Sequence, residues 1–277
     1  MLDFFPKYFT SKAMLLYVIA LILVSLIFFK YSLPFMFIFF GFLEVFGFFF
    51  FSNRLTKKWQ NLTSKIFVKR LIISSFIIRV IWVIVSYYLY IEWTGQPFEW
   101  VTGDAYDYHQ LGIWYSALLK EGNTSVFFDH FKGVYSDTGY PTYLGLLYFV
   151  FGNSIIVARL FKALFGALTV YLVYKIARRN FDESTARMAG VFAMLMPNLI
   201  FYTGLHLKEV EMLFLSTWFI ERADALIREH KFSFNTLWLP VLLGLLLFFF
   251  RTVLGVTAVF AVFSALFLSS ERSVKLS

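Results

Sequence analysis

Asn53-Arg54-Leu55-Thr56-Lys57-Lys58-Trp59-Gln60-Asn61-Leu62-Thr63-Ser64-Lys65-Ile66-Phe67-Val68-Lys69-Arg70 carries six cations and no acid, between two strongly apolar stretches. Positive charge collected beside apolar segments marks the cytoplasmic side of a membrane, so residues 53–70 predict a basic cytoplasmic loop. Upstream, residues 13–29 and 33–51 are apolar runs split by Lys30 and Pro34. Each is long enough to cross roughly 30 Å of hydrocarbon at about 1.5 Å per residue, which makes residues 1–52 an N-terminal transmembrane hairpin. Downstream, residues 71–91 run outward as a third span. Glu44 in the second span and Arg79 in the third are charges at membrane depth, and pairing them is the economical expectation.

Composition agrees with this frame. Hydrophobic residues make up 60% of the chain and aromatic residues 22%, with a mean hydropathy of +0.71. These values lie far above an ordinary soluble domain. The net charge of +8 is accounted for by orientation signals, so no nucleic-acid partner is expected. The absence of Cys excludes a disulfide framework and a thiolate metal site.

Beyond the third span the charge reverses. Residues 92–153 form a long polar loop, and its stretch to Thr138 holds seven acids against Lys120 and Lys132, a net of −5 that suits the external side. Within it lies Gly103-Asp104-Ala105-Tyr106-Asp107-Tyr108-His109. A helix over residues 104–118 puts Asp104, Asp107, Tyr108 and Leu111 on one face, at the membrane surface. Gly139-Tyr140-Pro141 then opens an apolar segment ending at Phe151, too short to span, which predicts a second helix lying in the interface.

Residues 154–176 return inward and end on Lys175, Arg178 and Arg179; residues 186–203 run outward, 208–225 inward, 236–250 outward and 252–269 inward. Residues 270–277 form a cytoplasmic tail. The expectation is an all-α polytopic membrane protein of about eight transmembrane helices. Its core covers residues 71–269, with interfacial helices in the loop between the third and fourth spans.

The polar residues left over converge on the external leaflet: Asp104, Asp107, Tyr108 and His109 in the loop, Arg159 early in its span, His206, Lys208 and Glu209 at one turn, and Arg251 at another. Carboxylates facing cations beside a lipid bundle suit transfer from a lipid-linked phosphate. Asp104 would take the proton of an acceptor hydroxyl, and Arg and Lys side chains would hold the phosphate leaving group. Taken singly, each cation also fits a snorkelling contact with lipid headgroups, and Tyr106, Tyr108, Tyr140 and Tyr143 fit an aromatic belt as well as a sugar platform. His109 and His206 are too few for a metal site and are read as hydrogen-bonding groups. A non-enzymatic lipid or polysaccharide transporter or assembly partner is the alternative, and it would need its charges near the bilayer midplane.

Asp104-Ala105 followed by Tyr108, Gly139-Tyr140-Pro141 heading a helix that ends Phe151-Gly152, Ala158-Arg159-Leu160, Ala177-Arg178-Arg179, Pro197, Tyr202 and Leu207-Lys208-Glu209 form an ordered set. Over residues 70–255 this set resembles the GT-C class of integral-membrane glycosyltransferases, particularly the bacterial relatives of protein O-mannosyltransferases and the lipid A aminoarabinose transferase. The resemblance implies a polyprenyl-phosphate-linked sugar donor and inversion at the anomeric carbon, on the outer face of a bacterial inner membrane. It implies Asp104 as catalytic base, with Arg159, Lys208 and Arg251 at the donor phosphate. Asp107, Tyr108, Tyr140, His206 and Glu209 are then supporting or substrate-binding residues. Some relatives use a divalent cation and others do not; the acceptor is a lipid, glycan or protein. The first hairpin precedes the family's usual first helix, and relatives continue past the position of Ser277, so a truncated or divergent member is expected.

Overall fold

The computed structural model describes residues 9–28, 30, 34–101, 103–130, 137–229, 231–232, 234–268 and 275–276. Lys132, which entered the charge reading, lies outside them. The described chain is helical apart from one two-residue parallel pairing of Lys231–Phe232 with Lys275–Leu276.

The helices in order are α1 (Phe9–Ile27), α2 (Phe35–Trp59), α3 (Ser64–Thr94), α4 (Asp104–Lys120), α5 (Thr124–His130), α6 (Gly139–Phe151), α7 (Ile155–Asn180), α8 (Glu183–Leu195), α9 (Pro197–Phe201), α10 (Glu209–Glu229), α11 (Phe234–Phe250) and α12 (Thr252–Leu268). Among the described residues α2, α3 and α7 are long and apolar enough to cross a membrane, while α1, α11 and α12 are shorter apolar helices. The protein is an integral membrane protein.

α7 is the central post. It packs against α3, α8 and α10, and α10 in turn packs against α11 and α12. The N-terminal hairpin is peripheral, with α1 on α2 and α2 on α8, and most of its apolar side chains are exposed as lipid-facing residues would be.

Residues 53–70 are not the loop the sequence suggested. α2 runs to Trp59 and α3 begins at Ser64, because Lys and Arg are good helix formers and keep both helices going to the tight turn between them. Arg187 of α8 holds that turn, donating to the carbonyl oxygens of Gln60 (3.0 Å) and Leu62 (2.8 Å).

The expected single helix over 186–203 is broken. α8 stops at Leu195 and Pro197 opens α9, since proline has no N–H to donate to the carbonyl of Ala193. Arg79 supplies the missing donors: it is fully buried, and its guanidinium reaches Ala193 O (3.3 Å) and Met194 O (3.4 Å) as well as Ser75 Oγ (2.6 Å). Gly166 of α7 makes room for it, because a Cβ there would stand 2.6 Å from Arg79 Nε. Arg79 is therefore not paired with Glu44, which is exposed on α2. The hairpin packs on α8 rather than on α3, so the proposed pairing fails on geometry.

Helices α4 and α6 lie against one another through glycines. A Cβ on Gly112 would meet Leu144 Cβ at 2.9 Å, and one on Gly145 would meet Tyr115 Cβ at 2.6 Å. This close crossing fixes the acid-bearing helix on the bundle, and the N-terminus of α6 meets the C-terminus of α11 at Gly139 and Phe250.

Candidate active site

Gly103, at φ 137°, turns the chain into α4, a conformation that favours glycine, and places Asp104 as the first helical residue. Asp104 lines a cleft of about 210 Å³ with Glu99, Trp100, Gly103, Ala105, Tyr106 and Leu207. The sequence reading did not single out Glu99, the second acid of this cleft. Asp107 is exposed and is not among the residues that line it.

Behind the cleft wall lies a buried polar cluster. Arg159 of α7 is fully buried and donates to Pro97 O at 2.5 Å, with its guanidinium 5.8 Å from the Tyr90 ring centroid. Its Nε and Nη1 find no partner among the described residues. Phe98, also buried, packs its ring among Tyr106, His109 and His206. The segment 96–101 thus links the two: Pro97 accepts from Arg159, and Glu99, which lines the cleft, is a charge that acts on the same guanidinium.

His109 and His206 meet on one hydroxyl. Tyr148 Oη lies 2.8 Å from His109 Nδ1 and 3.1 Å from His206 Nε2, so it donates to one ring and accepts from the other. The hydrogen-bonding role expected of both histidines is what the geometry gives them. Burial holds His206 well below the usual imidazole range, reinforced by Arg159, Lys162 and His109. His109 is lowered by burial and then by Arg159, so both rings are neutral at pH 7. Among the described residues no three His, Asp or Glu side chains group as a metal centre would require.

Lys208 forms an ion pair with Asp137 and lies 5.5 Å from the centroid of Tyr108. Tyr108 packs edge-on to the buried Tyr140 at 5.2 Å, and Tyr140 is 6.1 Å from His206. Lys208, Tyr108, Tyr140 and His206 are therefore brought together. Arg251 is exposed between α11 and α12, next to the Phe250 that packs on Gly139. Glu209 lines a small cavity of about 50 Å³ with Arg79, Gly166 and Tyr202, and its charge also acts on Lys162 and Glu211.

Two site residues escaped the sequence reading. Lys162 is fully buried in α7 and pairs with Glu211 of α10 at 2.9 Å, with Tyr140 4.9 Å from its ammonium. The signal was present, because a lysine three residues after Arg159 within an apolar run is a charge at membrane depth. Glu211 also lines an apolar groove of about 260 Å³ between α6, α7, α10 and α11, walled by Tyr143, Leu146, Phe165, Phe214 and Phe249.

An acid-lined cleft, buried cations and an apolar groove thus occur on one helical membrane bundle. Residues 140–276, just under half of the chain, match the family model described as dolichyl-phosphate-mannose-protein mannosyltransferase, so this part of the chain is similar to a glycosyltransferase domain of the GT-C type. Comparisons with curated proteins and with solved structures each gave no match.

Proposed function

We propose that the protein transfers a sugar from a polyprenyl-phosphate donor to a hydroxyl-bearing acceptor, with inversion, at the non-cytoplasmic face of a bacterial inner membrane. The observation that carries this reading is Arg159, fully buried behind the acid cleft with two guanidinium nitrogens unpartnered. A cation kept in that state suits an incoming phosphate, whose charge grows as the glycosidic bond breaks. Asp104, which lines the cleft with Glu99, is the base that removes the acceptor proton. The groove beside Glu211 takes the isoprenoid chain, and Lys208, paired with Asp137, and Arg251, next in sequence to the groove residue Phe250, are assigned to the phosphate. In this reading residues 71–269 are the catalytic core, with residues 92–153 outside and the basic ends of α2 and α3 inside. The acceptor is a lipid, a glycan or a protein.

Lys208 and Arg251 give the test. Because a held phosphate touches them in the ground state as well as in the transition state, Lys208→Ala and Arg251→Ala each weaken binding of a polyprenyl phosphate, together with turnover. Equilibrium binding of a fluorescent short-chain polyprenyl phosphate to the purified protein in micelles measures this. Unchanged affinity in both variants contradicts their placement at the donor.

A further inference from the structure

Lys162 ties a residue of one cavity to a residue of another. Its ammonium donates to the carbonyl of Leu207, a residue that lines the acid cleft, and to Glu211 Oε2 at 2.9 Å, a residue that lines the apolar groove. Both charged side chains are buried, Lys162 at 0% exposure and Glu211 at 3%. A molecule with its isoprenoid chain in the groove and its sugar in the cleft has to carry its phosphate past this ammonium. The place is already taken by a carboxylate.

We propose that Glu211 and the donor phosphate compete for Lys162, so that the donor binds with uptake of one proton by Glu211. This rests on the donor reading given above and adds a proton to it. Two anions sharing one buried ammonium are a costly arrangement, and a carboxylate stripped of its cation in an apolar bundle is costlier still. Protonation from bulk solvent removes the second negative charge and leaves Glu211 as a hydrogen-bond donor toward the phosphate. The surroundings are built for such an exchange: Glu211 Oε1 and the hydroxyls of Tyr140 and Tyr143 have no partner among the described residues. The titratable and charged groups that act on Glu211 are Lys162 from α7, Tyr140 and Tyr143 from α6, and Glu209 on its own helix, while Arg159 of α7 acts on Lys162 and Tyr140. From α11 the groove presents only Leu246, Phe249 and Phe250.

The experiment is calorimetric titration of the full chain in detergent with decaprenyl methyl phosphate, a diester whose own charge does not titrate near neutrality. Measurements in two buffers of different ionisation enthalpy report the protons exchanged. The expected result is uptake of about one proton per ligand at neutral to alkaline pH, with affinity falling about tenfold per pH unit. Glu211→Gln binds without uptake and without that pH dependence. Dimethyl phosphate, the headgroup alone, and phosphatidylglycerol, a bulk lipid diester, are expected to bind at least tenfold more weakly. Binding of the decaprenyl diester without proton uptake, or uptake that persists in Glu211→Gln, overturns the proposal and leaves the donor reading standing. Equal affinity and uptake with phosphatidylglycerol overturns it by giving the pair to bulk lipid. No binding of the decaprenyl diester at any pH overturns both readings.

Discussion

Asp104→Asn lowers sugar transfer by roughly 100-fold or more and leaves donor binding in place. The substitution keeps the size and the hydrogen-bonding capacity of the side chain and removes only its basicity, so the loss is confined to the step in which the acceptor proton moves. The geometry adds to this expectation. Both acids are exposed, but Asp104, the helix's first residue, lines the cleft, while Asp107 on the next turn stands outside that lining. Asp107→Asn is therefore expected to change turnover by only a few-fold, within the usual range of a surface substitution. Single-turnover kinetics with bound donor separate the chemical step from binding. If Asp107→Asn abolishes transfer and Asp104→Asn does not, the base is misassigned.

Arg79→Met destabilises the fold by about 3 kcal/mol, while Glu44→Gln changes stability by no more than about 0.5 kcal/mol. Methionine keeps the apolar stem of Arg79 but takes away the donors that serve Ala193 O and Met194 O, two carbonyls left over where Pro197 breaks the helix. Each unsatisfied buried acceptor costs about 1–3 kcal/mol. Glu44 is exposed on the peripheral hairpin and has no part in that arrangement. Unfolding in mixed micelles measures both variants and their combination. The double variant is expected to lose what Arg79→Met loses alone, and a coupling above about 1 kcal/mol between the two positions contradicts the account.

The long helices were legible because their signal is local. Apolar runs bounded by Lys30, Pro34 and the cations of 53–70 give α1, α2 and α3, and the pattern after Gly103 gives α4. The basic stretch was misread as a loop because charge reports the side of a membrane and says little about backbone conformation. Pro197 was noted, but not its consequence, the break between α8 and α9 and the buried arginine that repairs it. That repair joins residues more than a hundred positions apart, and only packing reveals it. The candidate site divides along the same line. Asp104, Tyr108, Tyr140, His206 and Lys208 were legible as polar groups at one end of the bundle, and the structure brings the last four near one another. Glu209 follows Lys208 directly, and successive residues at a helix start point in different directions, so it lines a cavity with Arg79 that Lys208 does not line. Lys162 and Glu211 were missed because attention fell on the loops, although three or four residues along a helix from a chosen charge is where a partner in the same site belongs.

The central claim is that this chain spends a polyprenyl-phosphate sugar. Its most direct test is the release of polyprenyl phosphate from a panel of such donors by the purified protein in proteoliposomes, followed over time with candidate acceptors present. The account predicts that at least one donor is consumed, and that Asp104→Asn consumes it roughly 100-fold more slowly. If the unmodified protein binds and consumes none of them, the enzyme reading is contradicted and the transporter or assembly-partner reading takes its place.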